Sequence, residues 1–550
     1  MPTIAMIVIF PILLYFLFLY EHRERQKTIR KILEKKYGKK PHKKDYDFNK
    51  IGMYWKEFES LVKEDEKIDN VTWNDLEMNQ IFNRIDNCSS FVGEQILYST
   101  LHCLPKDETY GLNLEKKIEY FANNSKERES IQLELCHLGK EELSYYLPIL
   151  INNLDTLEIK GVLGYKIMQA LLALSLFMTI VFQNQKCIIV TFILFMINMV
   201  IYALKKVQNE INLISINNII QVVKVGNIII DSNQFSYEGQ FYDLQEKVDP
   251  FRKLVHVVAR IQKKKEVTIS GDIFAVVYDY LIGATLWDFT ICDKIHRMIK
   301  EKRDEYMKLY RKIGEIDMAI AIASFRESLP KFCIPAFCKE HSLQMEEVYH
   351  PLIDEPVCNS IDMNKNCIIT GSNASGKSTY IKAVAINVIL AQSINTCMAK
   401  KMVLPYVRII TSMAVRDDLM EGESYYIKEI KYLNRIVKSL SSERFVICAI
   451  DEILRGTNTE ERIVASAAIL NYLNGKNCIA VVASHDIELT QILKDTYENY
   501  HFQEEIQEKD IIFDYKIHEG VATSKNAIKL LEYVGFPNEI IKNAQKGYFY

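Results

Sequence analysis

The sequence predicts a chain in two parts: a largely helical region with membrane-spanning helices, followed by an α/β domain with a parallel sheet. Three observations lead to this fold class. Apolar runs at residues 1–20 and 162–204 are long enough to cross a bilayer. Residues 205–345 place apolar side chains at helical spacing among many charges. Short continuous apolar runs beyond residue 345 are typical of buried parallel strands.

Bulk composition is that of an ordinary globular chain. With 550 residues it is too long for one domain, so several structural units are expected. Hydrophobic residues make up 49% and charged residues 25%, and the net charge of −3 argues against binding a polyanion through bulk charge. The twelve cysteines form no CxxC pair and have no histidine at ligand spacing. We therefore expect reduced, mostly buried thiols rather than a zinc site.

Residues 1–20 predict the first transmembrane helix. No basic residue precedes the apolar run and no small-residue cleavage site follows it, which favours an anchor over a removable signal peptide. Residues 21–69 begin with a dense lysine and arginine segment, and we interpret them as a basic cytoplasmic linker because positive flanks stay inside. Contact with anionic lipid is a second interpretation of the same charges, and a nucleic-acid patch is a third, which the position beside an apolar span disfavours. The N-terminus is then predicted to lie outside.

Residues 162–204 predict a transmembrane helical hairpin. A polar tetrapeptide at 183–186 divides the run into two halves, each long enough to span, and the lysines at 205–206 close it on the cytoplasmic side. The result is a multi-pass membrane protein with three spans, in which everything after residue 204 is cytoplasmic. A buried hairpin in a soluble protein is the alternative.

Residues 371–378 match the pattern GxxxxGK[ST] between a short apolar run and a helical pattern, which is the context of a phosphate-binding loop. Glycines let backbone amides converge on phosphate oxygens, and a helix N-terminus adds its positive end. We predict ATP and Mg²⁺ as ligands, with Lys377 bridging the β- and γ-phosphates and Ser378 binding Mg²⁺. The candidate nucleotide-binding residues are Gly371, Ser372, Asn373, Ala374, Ser375, Gly376, Lys377, Ser378 and Thr379.

Two later apolar runs end in side chains suited to hydrolysis. Residues 445–450 are followed by Asp451, a candidate Mg²⁺ ligand, and Glu452, a candidate for polarising the attacking water. Residues 478–483 lead to His485, a candidate catalytic residue that senses the γ-phosphate. Because ligands of parallel sheets bind at the carboxyl ends of the strands, these side chains should meet there.

These segments resemble the MutS family of DNA mismatch repair ATPases. The phosphate loop is similar to the family's TGPNMGGKST, residues 449–461 to its MDEIGRGTST, and residues 481–490 to its ATHYFELT. The resemblance implies a P-loop ATPase domain of the ABC-like class over residues 346–520. It also implies a helical lever domain, which would start within residues 70–161 and continue over residues 205–345 after the membrane hairpin.

Residues 415–430 resemble the family's signature segment ADDLASGRSTFMVEM. In that class the serine matching Ser424 serves the nucleotide of the partner subunit, so the resemblance implies a homodimer with composite ATP sites. Residues 521–550 resemble the family's C-terminal dimerisation helices. Residues upstream of the lever show no mismatch-reading domain and no Phe-x-Glu wedge, so we do not expect direct mismatch recognition.

The sequence does not identify the partner on which such an ATPase acts. The lysines at 263–265 and the basic cluster at 294–312 could contact DNA phosphates, although an ordinary solvated helix face is the favoured interpretation. The first hypothesis is a membrane-anchored ATPase that moves its levers, with DNA as one partner to test. The alternative is an ABC-type switch that acts on a membrane protein or on lipid without DNA.

Overall fold

The structure is a computed structural model. It describes residues 20, 23–42, 45–231, 242–252, 254, 283–372, 375–413, 425–441, 443–507, 510–522 and 535–546. Several predicted features lie outside these residues: the first span apart from its last residue, the lysines at 263–265, Asn373, Ala374, Ser424 and much of the predicted C-terminal helical segment.

Helices dominate the described chain up to residue 327, as the sequence pattern predicted. Residues 23–36 are helical. The further α-helices of this part are α1 (Phe48–Ile51), α2 (Met53–Phe58), α3 (Asn70–Asp75), α4 (Met78–Ile85), α5 (Phe91–Leu101), α6 (Glu108–Asn123), α7 (Ser125–Cys136), α8 (Leu147–Asn152), α9 (Val162–Phe182), α10 (Gln185–Gln208), α11 (Glu210–Asp231), α12 (Tyr242–Val248), α13 (Trp287–Glu301) and α14 (Arg303–Glu327). Short 3₁₀ helices occur at Glu59–Leu61, Glu64–Glu66, Glu142–Tyr146, Leu154–Leu157 and Asp249–Phe251.

Strands alternate with helices after residue 335. The strands are β1 (Ala336–Phe337), β2 (Leu343–Val348), β3 (Asn359–Met363), β4 (Asn366–Thr370), β5 (Lys401–Leu404), β6 (Arg408–Ser412), β7 (Val446–Asp451), β8 (Cys478–Ala483), β9 (Tyr497–Gln507) and β10 (Asp510–Glu519). The helices are α15 (Lys377–Ile394), α16 (Tyr425–Ser439), α17 (Thr459–Asn474), α18 (Ile487–Ile492) and α19 (Asn538–Lys546).

The chain divides into two compact units. The helical unit comprises Met1–Ser60, Asp86–Ser99 and Lys117–Ser324, and the α/β unit comprises Leu61–Ile85, Thr100–Lys116 and Phe325–Tyr550. The α/β unit therefore takes in two early segments of the chain, which the sequence pattern assigned to the linker and to the helical region.

Within the helical unit, α9 and α10 form the predicted hairpin. The polar tetrapeptide makes the turn: Gln183 takes a left-handed conformation with φ of +46°, and the Asn184 side chain caps α10 by accepting a hydrogen bond from the Lys186 amide. Hydroxyl groups of Thr179 and Thr191 lie 2.9 Å apart across the hairpin. Most other side chains of both helices are apolar and exposed, so each helix is long and apolar enough to cross a membrane.

Helix α11 also has the length and composition of a membrane span, but its environment differs. About 61% of the apolar stretch of α11 is buried, compared with 11% of the corresponding stretch in each hairpin helix. Ile219 and Val222 on this helix are fully buried, and Asn218 donates a hydrogen bond to the Ser144 hydroxyl at 3.0 Å. The apolar side chains of α11 thus belong to the core of the helical unit. This agrees with the sequence analysis, which assigned residues 205–345 to a helical domain and not to a membrane span.

The described residues of the α/β unit form two sheets. The larger has the order β10-β9-β4-β8-β7-β6, with β9, β4, β8, β7 and β6 parallel and β10 antiparallel at the edge. The smaller has the order β1-β5-β2-β3. Strands β4, β7 and β8 are buried along their whole length, which explains why their sequences are continuously apolar rather than alternating.

Candidate functional site

The phosphate-binding loop connects β4 to α15, as the motif requires. Gly371 has a φ of +146° and Gly376 a φ of +104°, conformations that side chains with a Cβ rarely adopt. A Cβ on Gly371 would also lie 2.8 Å from the carbonyl oxygen of Phe502 on β9. Both glycines of the motif are therefore required by the backbone itself.

Lys377 begins α15 and points back into the loop. Its ammonium donates hydrogen bonds to the carbonyl oxygens of Gly371 at 2.8 Å and Ser372 at 2.7 Å. Burial lowers the pKa of Lys377 to about 8, although the nearby charges of Glu452 and Asp451 act in the opposite direction. The loop thus holds a cation that is desolvated and close to two carboxylates.

Those carboxylates lie at the carboxyl end of β7. Asp451 is the last residue of the strand and is only 7% exposed; its Oδ1 atom is buried without a hydrogen-bond partner among the described residues. Glu452 follows with a φ of +58°, a left-handed conformation that is costly for a residue other than glycine. Its amide donates a hydrogen bond to the carbonyl oxygen of Ala483 at the end of β8, at 3.0 Å. Buried unpaired oxygens and backbone strain are both features of functional sites.

His485 follows β8 and completes the arrangement. Its Nε2 atom lies 3.0 Å from Oε1 of Glu452 and 3.5 Å from Nζ of Lys377. The guanidinium of Arg455 forms an ion pair with the other Glu452 oxygen. Burial by itself would raise the pKa of Glu452, but the hydrogen bond from His485 and the charge of Arg455 hold it below its usual range. Glu452 is therefore ionised at neutral pH.

A cavity of about 410 Å³ adjoins the loop and these side chains. Its polar lining includes Lys377, Ser378, Glu452 and His485. Aromatic and apolar side chains also line the cavity, and they include Tyr349, His350, Ile353, Pro356, Val357, Tyr380, Phe502 and Tyr515. A lining that combines a cation and hydroxyl groups with flat apolar side chains suits a ligand that joins an anionic group to a planar ring.

Most predicted site residues meet in this region. Ser372, Ser375, Gly376, Lys377, Ser378, Thr379, Glu452 and His485 all line the cavity. Asp451 does not line it but lies close enough for its charge to raise the pKa of Lys377. Asn373, Ala374 and Ser424 lie outside the described residues. The chemical role of each residue stays a prediction.

Sequence reasoning missed the aromatic walls of the cavity. Tyr349 and His350 belong to a segment that the sequence analysis assigned only to the domain as a whole, and Phe502 and Tyr515 lie far along the chain on β9 and β10. The pKa of His350 is lowered to about 4, mainly by burial and further by the charge of Lys382, so this ring is neutral. Aromatic side chains on strands usually belong to a core, so no local signal marked Phe502 and Tyr515.

Comparison with known proteins identifies the family of the C-terminal part of the chain. Residues 367–548, which contain the phosphate loop, β7, β8 and α19, match the family described as MutS domain V. This part of the chain is a MutS domain V. It is accordingly an ATPase-type α/β region of the MutS kind.

Curated MutS proteins align with about half of the chain. The chain is 30% identical over 269 residues to the DNA mismatch repair protein MutS of Pseudothermotoga lettingae, which covers 46% of the chain and 33% of that protein. It is 27% identical over 272 residues to MutS of Listeria monocytogenes (47% and 31% covered) and 28% identical over 264 residues to MutS of Thermotoga petrophila (46% and 32% covered). The chain therefore spans about a third of the length of these relatives.

Proposed function

We propose that this MutS-family chain is a membrane-anchored ATPase, which binds ATP with Mg²⁺ in a dimer and couples hydrolysis to movement of its helical levers. One observation carries the proposal: Lys377, Glu452 and His485 converge on the cavity from the carboxyl ends of three adjacent parallel strands. The convergence unites a phosphate-binding cation with an ionised carboxylate, the two groups that phosphoryl transfer to water needs.

The residues present fit MgATP as substrate. The loop amides and Lys377 would bind the phosphates, and the aromatic walls at Tyr349 and Phe502 would take the base. Mg²⁺ prefers oxygen ligands, and the buried, unpaired Oδ1 of Asp451 and the Ser378 hydroxyl provide them. When bound, the metal neutralises negative charge on the phosphate oxygens.

Glu452 would act on the attacking water. Because its pKa is held below the usual range, it stays a proton acceptor at neutral pH. His485 is a hydrogen-bond partner of this carboxylate and lies next to Lys377, so it can respond to the charge on the bound phosphate. Positioning by fixed neighbours is the main contribution a protein makes to phosphoryl transfer.

The proposed dimer rests on the signature segment. Ser424 of one chain would contact the nucleotide held by Lys377 of the other, so that a two-fold axis generates two composite sites.

The proposed anchor rests on the hairpin of α9 and α10. These helices are 21 and 24 residues long, enough for the roughly 20 residues that a span requires. Exposed apolar side chains along both helices, such as Ile180 and Phe192, would lie in lipid. With the N-terminus outside and three spans, the ATPase domain would lie in the cytoplasm, where ATP is available.

A second candidate function is an ABC-type switch that acts on a membrane protein or on lipid without DNA. The structure of the basic cluster at 294–312 favours this alternative, because many of its cations already pair with acids. These pairs are Arg297–Asp293, Lys300–Asp155, Arg303–Asp304, Arg311–Glu315 and Lys312–Asp243. Cations neutralised in this way release fewer counterions from DNA and add less to its binding.

The test is phosphate release from ATP by the full-length protein in lipid nanodiscs. We expect Mg²⁺-dependent turnover that Lys377→Ala abolishes, and equal turnover by the two proteins would overturn the ATPase assignment. Adding duplex, mismatched or branched DNA separates the two functions. Stimulation that falls steeply with salt supports the DNA partner, whereas stimulation by a co-purified membrane protein but not by DNA supports the switch.

A further inference from the structure

Two cysteines of the α/β unit face each other across an isolated antiparallel bridge. The amide of Cys333 donates to the carbonyl oxygen of Cys397 at 2.9 Å, and the amide of Cys397 donates back to Cys333 at 2.9 Å. Residues that exchange both hydrogen bonds have Cα atoms about 5.5 Å apart. That separation lies within the range of roughly 4.4–6.8 Å found for disulfides.

The two side chains also lie on the same face of the bridge, because residues directly opposite each other in an antiparallel pair do so. Both thiols are free, and the Cys397 side chain acts on the pKa of Cys333. Cys333 is partly exposed, whereas Cys397 is fully buried. The Cys333 side chain is therefore accessible to a small molecule, and the Cys397 side chain is not.

The pKa values of the two thiols also differ, and the more exposed thiol has the lower pKa. The hydrogen bond from Cys397 lowers the pKa of Cys333, while burial raises the pKa of Cys397 well above the usual thiol range. A thiolate is the nucleophilic form of cysteine, so Cys333 is the reactive member and Cys397 the resolving member of the pair.

We propose that Cys333 and Cys397 form a reversible disulfide when the protein meets a peroxide. The Cys333 thiolate attacks one peroxide oxygen, the O–O bond breaks, and a sulfenic acid and water result. The Cys397 sulfur then attacks the Cys333 sulfur, the S–O bond breaks, and a second water leaves. The two thiols together lose two protons and two electrons, and hydrogen peroxide is reduced to two molecules of water.

A second thiol pair provides an internal comparison. Cys448 and Cys478 lie on the adjacent parallel strands β7 and β8, and each acts on the pKa of the other. They are not register partners, since Cys448 faces Ala480 and Cys478 faces Val446. Both are buried within the sheet. Neither sulfur has the exposure of Cys333, so we expect this pair to stay reduced.

The Cys333–Cys397 bridge adjoins the nucleotide cavity through Tyr349. The Tyr349 hydroxyl donates to the carbonyl oxygen of Lys331, and its amide donates to that of Met398 at 3.0 Å. Drawing the two sulfurs into a bond would shift both of these segments, and with them a wall of the cavity. If the proposed ATP site holds, we infer that the disulfide weakens nucleotide binding.

The experiment oxidises the full-length protein in nanodiscs with hydrogen peroxide, blocks free thiols under denaturing conditions, and maps the cross-linked peptides by mass spectrometry. We expect one cross-link, between Cys333 and Cys397, that dithiothreitol reverses. Cys333→Ser should abolish it, and Cys397→Ala should leave Cys333 as a sulfenic or sulfinic acid. The matched control Cys478→Ser should not change it. Oxidation of Cys333 without a cross-link in the wild type, or a cross-link to another cysteine, would overturn the proposal.

Nucleotide affinity is measured on the same samples with a fluorescent ATP analogue. We expect the Kd to rise about fivefold on oxidation of the wild type and to stay constant in Cys333→Ser, a difference of roughly 1 kcal/mol. An unchanged Kd in the cross-linked protein would contradict the inference that the disulfide weakens nucleotide binding. Complete absence of nucleotide binding in the reduced protein contradicts the proposed function, while the peptide map still decides the disulfide.

Discussion

The Nε2 atom of His485 lies 3.0 Å from the Oε1 atom of Glu452, although the two residues follow different strands. The register of the sheet causes this proximity, because Asp451 pairs with Ala483 at the ends of β7 and β8. Arg455 occupies the second oxygen of Glu452. The carboxylate is therefore fixed from both sides, which is the preorganisation expected of a group that positions a water molecule.

Replacing Glu452 with glutamine should separate binding from hydrolysis. Glutamine keeps the size of the side chain but cannot accept a proton, so we expect kcat to fall by on the order of 10²-fold or more. The Kd for ATP should stay within about twofold, because the phosphate loop is unchanged. Phosphate release and fluorescent-nucleotide binding measure the two quantities. Glu460→Gln, on the exposed first turn of α17, is the control, and wild-type turnover in Glu452→Gln would remove Glu452 from this role.

Nucleotide affinity should fall as the pH rises past the pKa of Lys377. That pKa is about 8 without ligand, and the ammonium form is the one that attracts phosphate. Bound phosphate stabilises the protonated form, so loss of the proton opposes binding above this pH. We expect the Kd to increase about tenfold between about pH 7 and about pH 9.

Fluorescent-nucleotide titrations at the two pH values measure this effect. Lys377→Arg keeps its charge throughout this range and should show a much flatter dependence. An equally steep dependence in Lys377→Arg would assign the titration to another group.

Mixed dimers test the composite site. Lys377→Ala and Ser424→Arg should each be inactive as homodimers. Coexpressed in equal amounts, they should form dimers of which half are mixed, and each mixed dimer holds one intact site. About a quarter of the wild-type ATPase activity should return. Activity no higher than that of the parent variants would show that Lys377 and Ser424 do not serve the same nucleotide across two chains.

Arg326 should be important for the stability of the α/β unit. This residue is 6% exposed. Its guanidinium forms a bidentate ion pair with the Glu115 carboxylate, with N–O distances of 2.6 and 2.7 Å. It also donates a hydrogen bond to the carbonyl oxygen of Asn395 at 2.8 Å. Arg326→Ala leaves the Glu115 carboxylate, whose side chain is 12% exposed, without its cationic partner. We therefore expect a loss of about 3 kcal/mol or more in the free energy of unfolding.

Urea unfolding followed by tryptophan fluorescence measures this loss. Lys400→Ala, which removes the exposed pair with Glu346, is the control and should cost less than about 1 kcal/mol. Similar losses for the two variants would contradict the stabilising role of the Arg326 contacts.

The native cysteines report the predicted membrane topology. Cys187 lies in the first turn of α10, at the end of the hairpin that should face outside. Cys338 lies in the α/β unit, which should face the cytoplasm. A membrane-impermeant maleimide applied to intact cells should label Cys187 and not Cys338, whereas both should react after the membrane is opened. Cys187→Ser confirms the labelled site. Labelling of Cys338 alone in intact cells would invert the topology.

Local patterns predicted the parts of the site that depend on short stretches of chain. A glycine pattern predicted the loop before α15, and two apolar runs predicted β7 and β8 with Glu452 and His485 at their ends. The hairpin of α9 and α10 followed from the length of its apolar halves and the polar turn between them. Each of these features is encoded within about twenty consecutive residues, because hydrogen bonding and side-chain periodicity within an element are local.

The sequence by itself therefore determined the strand–loop–helix of the phosphate site, the order of its acidic and histidine side chains, and the apolar hairpin. Only the tertiary structure decided that α11 is largely buried, that Phe502 and Tyr515 line the cavity, and that Cys333 faces Cys397. The physical reason is that these relationships arise from packing between segments far apart in the chain. A side chain's local sequence sets its helix or strand, but its neighbours across the fold set its environment.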